Sequence, residues 1–356
     1  MDSEKKKKGG AAKYAFIIVL LIFAFAAGLV FMYLQNLGAA YRPDDDSYVQ
    51  VKIPEGTYAA GISDILAENG IVRSSRDFTL YSRIHKLGAS YQAGHYALSP
   101  SMTMKEIADI ISTGKVNTIK ITIPEGYTEY DIAETVAKED GISKKKFIRL
   151  LESGDYLGDY SFLKGAQNNE HMLEGYLVPD TYSVPAGTSE DEIIRQLLDA
   201  HKEIFDSKAK ARAKKLKRSE NEIMIIASII EKECADVGDQ PIVASVIYNR
   251  LKIDMPLQMD STIQYILGLD GVRKEDLLYD DTEVESPYNT YTNAGLPAGP
   301  VCCPGRSAIE AALNPADTKY LYFVLDDKLD GKMAFSEDYN DFLKDKDAYY
   351  KARDNG

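Results

Sequence analysis

The sequence predicts an α+β protein in two parts behind one N-terminal apolar helix. Three observations predict it. Residues Tyr14 to Leu34 ("YAFIIVLLIFAFAAGLVFMYL") carry no charge. The segment that follows alternates strand-like runs with helical patterns, and the same four residues, Ile-Pro-Glu-Gly, occur twice at the strand ends. From residue 118 onward, strongly apolar helical patterns are separated by Gly/Pro-rich loops. A composition of 45% hydrophobic and 27% charged residues is that of a folded chain, which excludes disorder as the default.

The apolar run matches the length of about 20 residues that a helix needs to span a bilayer core. A cleaved signal peptide has a shorter apolar region; "LGAA" at 37–40 would suit cleavage, but the length favours an anchor. Lys5, Lys6, Lys7, Lys8 and Lys13 precede the run and "RPDDD" follows it, which puts the N-terminus in the cytoplasm. The expected order is a cytoplasmic N-terminus over 1–13, a single-pass membrane helix over 14–34, a linker over 35–48 and an extracytoplasmic body. Setting aside the five lysines and two acids before the run leaves that body a formal charge of −16. Such a surface repels polyanions, so nucleic acid is not expected as a partner. The basic stretch "KAKARAKKLKR" (208–218) reads as a solvated helix face.

A small module is expected over 49–117. "YVQVKIPEG" alternates like a strand and stops at a Pro/Gly turn, and "TYAAGISDILAENGI" has helical spacing closed by Gly70. "YQAGHYALSPSMTMKEIADIISTGK" repeats the order strand, turn, helix, with Ile107, Ile110 and Ile111 on one face. The second Ile-Pro-Glu-Gly, Ile123–Gly126, again follows a strand pattern ("IKIT") and precedes a helical one. Two copies suggest a duplicated unit, although turn chemistry alone also favours Pro and Gly at such places.

The stretch "IIASIIEKECADVG" (225–238) raises the question of chemistry. Ser219 and Glu222 form a capping box, and the nearly continuous apolar run Ile223–Ile230 predicts a helix buried all round. Glu231 ends that run above the small Ser228 and Ala227, whereas Glu233 stands over Ile229 and Ile230. A carboxylate at the edge of an apolar helix is partly desolvated and its pKa rises, as a general acid requires. The plainer alternative is that "EKE" is the helix's exposed last turn. Further on, Asp239 and Pro241 open a helix, a polar turn carries Gln258 and Asp260, and Asp260 caps the next helix. The Gly/Pro loop "SPYNTYTNAGLPAGPVCCPG" (286–305) is long for a compact domain, which marks it as functional or disordered. Tyr288 and Tyr291 offer flat faces for sugar rings; Gln258, Asp260, Asn289, Thr290 and Asn293 offer hydrogen bonds. "SAIEAALNP" reads as a helix closed by Asn314, "KYLYFVL" as a buried strand and the tail from Glu337 as a solvated helix.

Cysteine is scarce, and three thiols outside the membrane leave at least one unpaired; structural, unpaired cysteines are the reading adopted. The four histidines show no ligand spacing, so neither a metal nor a cofactor is expected.

Taken together, "ASIIEKE", "NRL…MPLQMDSTIQY", "SPYNTY…GLPAGP…PG…AIEAALNP", "YLYFV…FS" and "LEGYLVPDTY" resemble the YceG-like (MltG) endolytic murein transglycosylases, in order over residues 50–345. The resemblance implies a LysM-like module over 49–117 and a larger α+β catalytic domain over 118–356. It implies that Glu231, first acid of the "EKE" block, is the catalytic residue of a lytic transglycosylase acting on nascent peptidoglycan. That glutamate would protonate the MurNAc–GlcNAc oxygen and then take the proton of the MurNAc 6-hydroxyl, leaving a 1,6-anhydro end. Peptidoglycan strands, the cell membrane and peptidoglycan synthases are the implied partners. Two positions depart from the family's habit: Cys234 stands where threonine is common, and Met333 of "GKMAF" where histidine often is. Two other functions fit the residues. A hydrolytic muramidase would need a second carboxylate, with Asp260, Glu283 or Glu285 nearest by motif. A non-catalytic wall-binding scaffold would need no Glu231 carboxyl.

Overall fold

The computed structural model describes residues 3–355 except 115–117, 140, 168, 170, 186–187, 270, 273 and 275–276. Met1 and Asp2 of the expected cytoplasmic segment, and 115–117, where the first module is expected to end, lie outside the described residues. The chain divides into two compact units, Met1–Ile119 with Pro185–Thr188, and Lys120–Val184 with Ser189–Gly356. Helix and small sheets are mixed, as an α+β reading requires.

The first unit begins with α1 (Ser3–Asn36), longer than the apolar run because the lysines and alanines before it also favour helix. Within α1, Phe16–Asn36 has a mean hydropathy of 2.8 and exposes its side chains throughout. Among the described residues it is the one helix long and apolar enough to cross a membrane. β1 (Val49–Ile53) leads through the first Ile-Pro-Glu-Gly turn to α2 (Ala59–Glu68), beyond which Gly70 takes a positive φ of 72°. α3 (Ser75–Ile84) escapes the sequence reading: its pattern is mostly polar, and only Phe78, Tyr81 and Ser82 turn inward. The Ser74 hydroxyl starts it by accepting the Asp77 N–H. β2 (Gly94–Leu98) pairs antiparallel with β1, Val51 opposite Tyr96, and α4 (Met104–Thr113) carries a Thr103–Glu106 capping box. The core gathers Phe78, Tyr96, Leu66 and Ile107 with Ile111, while Ile110 is only partly covered.

The second unit takes the end of β3 (Thr118–Thr122), then α5 (Glu129–Val136) and α6 (Lys144–Leu151). β4 (Thr181–Pro185) pairs with β3 and leads to α7 (Glu190–Ile204) and α8 (Ser207–Lys215). The centre is α9 (Glu220–Glu233), in which every residue from Ile223 to Ile230 is buried. Its capping box forms as expected: Ser219 N–H donates to Glu222 at 2.8 Å and Glu222 N–H to the Ser219 hydroxyl at 3.2 Å. Around α9 pack α10 (Gln240–Lys252), α11 (Asp260–Leu269) and α12 (Arg306–Leu313). α10 opens at Asp239 with Pro241 in its first turn. The Asp239 carboxylate, however, reaches across to accept the Met333 N–H at 2.9 Å. β5 (Tyr322–Leu325) and β6 (Met333–Ser336) form an antiparallel pair, and α13 (Tyr339–Asn355) lies against them. The strand expected in "KYLYFVL" is shorter and half-buried rather than buried: α13 gives it only partial cover, through contacts such as Tyr322 with Phe342, 5.4 Å between rings.

Candidate active site

At the end of α9 the apolar core gives way to three charged residues in a row. Glu231 is half-buried there. Its Oε2 accepts the N–H of Gly305, 3.0 Å away, at the start of α12. The second Ile-Pro-Glu-Gly turn lies along the stem of the same side chain: a methyl placed on Gly126 would meet the Glu231 Cγ at 3.7 Å and Lys232 at 3.8 Å. Gly126 has a φ of 75°, a conformation that L side chains rarely adopt. Burial pushes the Glu231 carboxyl above the usual carboxylate range, and the negative Glu125 pushes the same way. The Gly305 N–H and the Lys232 ammonium oppose them.

Three segments remote in sequence hold this arrangement. Gly126 N–H donates to the Cys303 carbonyl at 3.0 Å, and Cys303 N–H donates back to the Tyr127 carbonyl at 2.7 Å. The loop before Gly305 is fixed from beneath by Ser228, whose hydroxyl accepts the Val301 N–H at 3.0 Å and donates to the Ile225 carbonyl. The small Ser228 therefore makes room for the loop backbone, not for an open pocket. Gly175 does likewise: a side chain there would run into Pro300 at 2.6 Å. Its neighbour Glu174, fully buried, accepts the Glu129 N–H at the start of α5 and lies 3.6 Å from the Cys303 thiol. Burial and the nearby Glu129 hold Glu174 well above the ordinary carboxylate range.

Glu233 does different work. Successive residues of an α-helix turn by about 100°, so Glu233 points to the side away from Glu231. Its Oε1 accepts the N–H of Ser261 at 3.0 Å and thereby closes the N-terminus of α11. Asp260, expected as that helix's cap, is instead its first residue, and its carboxylate accepts the Tyr291 hydroxyl. Gln258 is exposed at a φ of 49°. Its N–H donates to the Thr290 carbonyl at 3.0 Å, which pins the turn to the loop behind it. Arg250, buried in α10, sets the same turn by donating to the Leu257 and Leu321 carbonyls.

The other loop candidates turn inward. Asn289 is fully buried, its amide donating to the Thr282 and Val284 carbonyls and its oxygen accepting the Tyr291 N–H. Thr290 is buried as well, its hydroxyl accepting the Met259 N–H and meeting Thr262 at 3.0 Å. Tyr288 is buried with its ring 5.1 Å from that of Tyr265. Gln258, Asp260 and Tyr291 thus gather on the Glu233 side, and Asn289, Thr290 and Tyr288 build the wall behind them. The Glu231 side is formed by residues that sequence reasoning did not connect with it: Glu125, Gly126 and Gly305. The repeated Ile-Pro-Glu-Gly was the signal available, since a repeated turn with an acid in it invites the question of what that acid faces. Glu283 and Glu285 are exposed elsewhere on the loop.

All three cysteines are free and buried. Burial pushes the Cys234 thiol up to about 12, and Cys302 and Cys303 well above the ordinary thiol range. They are inert fillers at neutral pH. Among the described residues no cluster of histidine, cysteine and acidic side chains has the form of a metal site.

The profile of the YceG-like family matches residues 51–348, which includes Glu125, Gly126, Glu231 and Gly305. An endolytic murein transglycosylase of Bacillus subtilis is 34% identical, the match covering 92% of this chain and 91% of the relative. An endolytic murein transglycosylase of Streptococcus pneumoniae serotype 2 is 33% identical over 92% of this chain, which spans 64% of that longer relative. The crystal structure of a yceG-like protein from Listeria monocytogenes, 34% identical, superposes with a TM-score of 0.58 over 84% of this chain and 99% of its own. The chain belongs to the YceG-like family.

Proposed function

We propose that this protein is an endolytic murein transglycosylase and that Glu231 is its single acid and base. The observation that carries the reading is the setting of Glu231: a half-buried carboxyl group at the end of the buried, almost wholly apolar run Ile223–Ile230, with one backbone N–H aimed at it. Burial keeps a proton on it at a pH where a solvated carboxylic acid is ionised. Glu231 gives that proton to the glycosidic oxygen as the bond from MurNAc C1 breaks. The MurNAc 6-hydroxyl oxygen then bonds to C1 and its proton passes to Glu231, which regenerates the acid. No water is consumed, so one carboxylate suffices where hydrolysis employs two. The Gly305 N–H stabilises Glu231 in the ionised form between the two proton transfers.

Substrate recognition falls to the polar groups at the α11 end of the site. Gln258 and Asp260 are exposed and offer hydrogen bonds to sugar hydroxyls; Tyr291 offers a ring face, and Tyr288, Asn289 and Thr290 hold that surface in place. The apolar part of α1 serves as a single-pass anchor, with the basic N-terminus in the cytoplasm and the rest outside. That places the body where new glycan strands and the synthases that make them are found. Residues 49–117 act as a LysM-like module on the same glycan, and residues 118–356 as the catalytic domain.

Product chemistry tests the reading. Peptidoglycan is incubated with the full chain in detergent, wild type beside Glu231→Gln, and the products are analysed by mass spectrometry. Anhydro-ended fragments from wild type alone are expected. A muramidase has one observation in its favour, the acid Glu125 beside Glu231, and it would leave reducing ends instead. Equal cleavage by both proteins would remove Glu231 from the mechanism.

A further inference from the structure

Glu125 is exposed, yet its head group has a defined seat. A methyl built on Gly305 would lie 2.0 Å from Glu125 Oε1 and 2.7 Å from Oε2. The Glu125 carboxylate therefore rests against the Cα of Gly305, the residue whose N–H binds Glu231. Two carboxyl groups flank one glycine that has no side chain to separate them. Gly126, next along the turn, lies so close that a methyl built on it would meet the Glu231 Cγ at 3.7 Å. The negative charge of Glu125 raises the free energy of ionising Glu231.

We propose that Glu125 is a positioning residue of this active site: seated on Gly305 beside Glu231, it keeps the proton on Glu231 until the glycosidic oxygen takes it. This deepens, and rests on, the reading of Glu231 as acid and base. The other groups around Glu231 do not supply this function. Lys232, on the same helix, favours the ionised form and turns its ammonium to the Gly126 carbonyl, 3.4 Å away. Cys302, from the loop, is a buried neutral thiol. On α12, Glu310 is paired with Arg212, and Arg306 stands at the helix start. Glu125 is the negative neighbour that opposes Lys232.

The test is the pH dependence of kcat on defined glycan strands, measured with the full chain in detergent. The acid must be protonated to act, so activity falls on the alkaline side as Glu231 ionises. Removing a neighbouring negative charge eases that ionisation and moves the fall to lower pH. Glu125→Gln is expected to keep making anhydro ends, with the alkaline limb displaced by about half a unit, roughly threefold in rate along it, and KM unchanged. Gly305→Ala keeps the N–H but evicts the Glu125 carboxylate, and is expected to shift the limb in the same direction. Glu125→Asp should fall between wild type and Glu125→Gln. In about 1 M salt, where charges are screened within about 3 Å, the gap should narrow. Superimposable limbs for wild type, Glu125→Gln and Gly305→Ala would overturn the proposal. So would reducing ends from wild type with total loss of turnover in Glu125→Gln, which would make Glu125 the second carboxylate of a hydrolase. Failure of the underlying reading has its own signature, a Glu231→Gln protein as active as wild type, whatever the Glu125 variants do.

Discussion

The same four residues, Ile-Pro-Glu-Gly, build a turn in each of the two units, and the two turns have different surroundings. Gly56 and Gly126 hold nearly identical backbone angles, φ of 76° and 75°, and each turn joins a strand to a helix. Around Gly56 a methyl would meet nothing within 4 Å; around Gly126 it would meet Glu231 and Lys232. The turn is thus a piece of folding grammar, set by proline's fixed φ and glycine's freedom. On the proposed function, chemistry enters only at the second copy, where the end of α9 and the loop before α12 come against it.

That comparison can be broken most directly at Glu231. If the second turn borders the chemistry, Glu231→Gln should lower the rate of anhydro-end formation by about a thousandfold, within the range for loss of a general acid. A fall of tenfold or less, read from product yield against time, would remove the distinction between the turns. Ser228→Ala tests the loop that the first turn lacks. It leaves the buried Val301 N–H unpaired, which should cost about 1–3 kcal/mol in urea unfolding, and it should lower kcat by loosening Gly305. The glycines sharpen the contrast. Gly56→Ala and Gly126→Ala should each cost about 1–2 kcal/mol, because both force alanine to a left-handed φ. Only Gly126→Ala should also slow turnover; equal activity in both would mean the contact with Glu231 is idle. The smallest effect is expected of Glu55→Gln, the counterpart of Glu125→Gln, which should leave the pH profile where wild type has it.

Local features of the fold were legible because local chemistry decides them. The capping box at Ser219, the burial of Ile223–Ile230 and the turns at both Ile-Pro-Glu-Gly sites follow from side chains within a few residues of one another. α3 was not legible, since its inward face is small and its pattern mostly polar. In the loop after Ser286, residue type announced hydrogen bonding but not its direction: Asn289 and Thr290 have the groups a sugar needs and use them on the protein's own backbone. The pairing of Glu125 with Glu231 lies furthest from reach. It depends on Gly305 lacking a side chain and on a backbone ladder between Gly126 and Cys303, neither of which leaves a periodic trace.

On the proposed function, the ladder between Gly126–Tyr127 and Cys303 also sets when the protein can begin to work. A chain still being made presents Glu231 before the segment that supplies the Gly305 N–H has been added. Contacts between such remote segments form late, since the long loop between them must first be closed. Cutting capacity therefore matures with the last third of the polypeptide, and a product truncated before Gly305 carries the glutamate without the N–H that holds it.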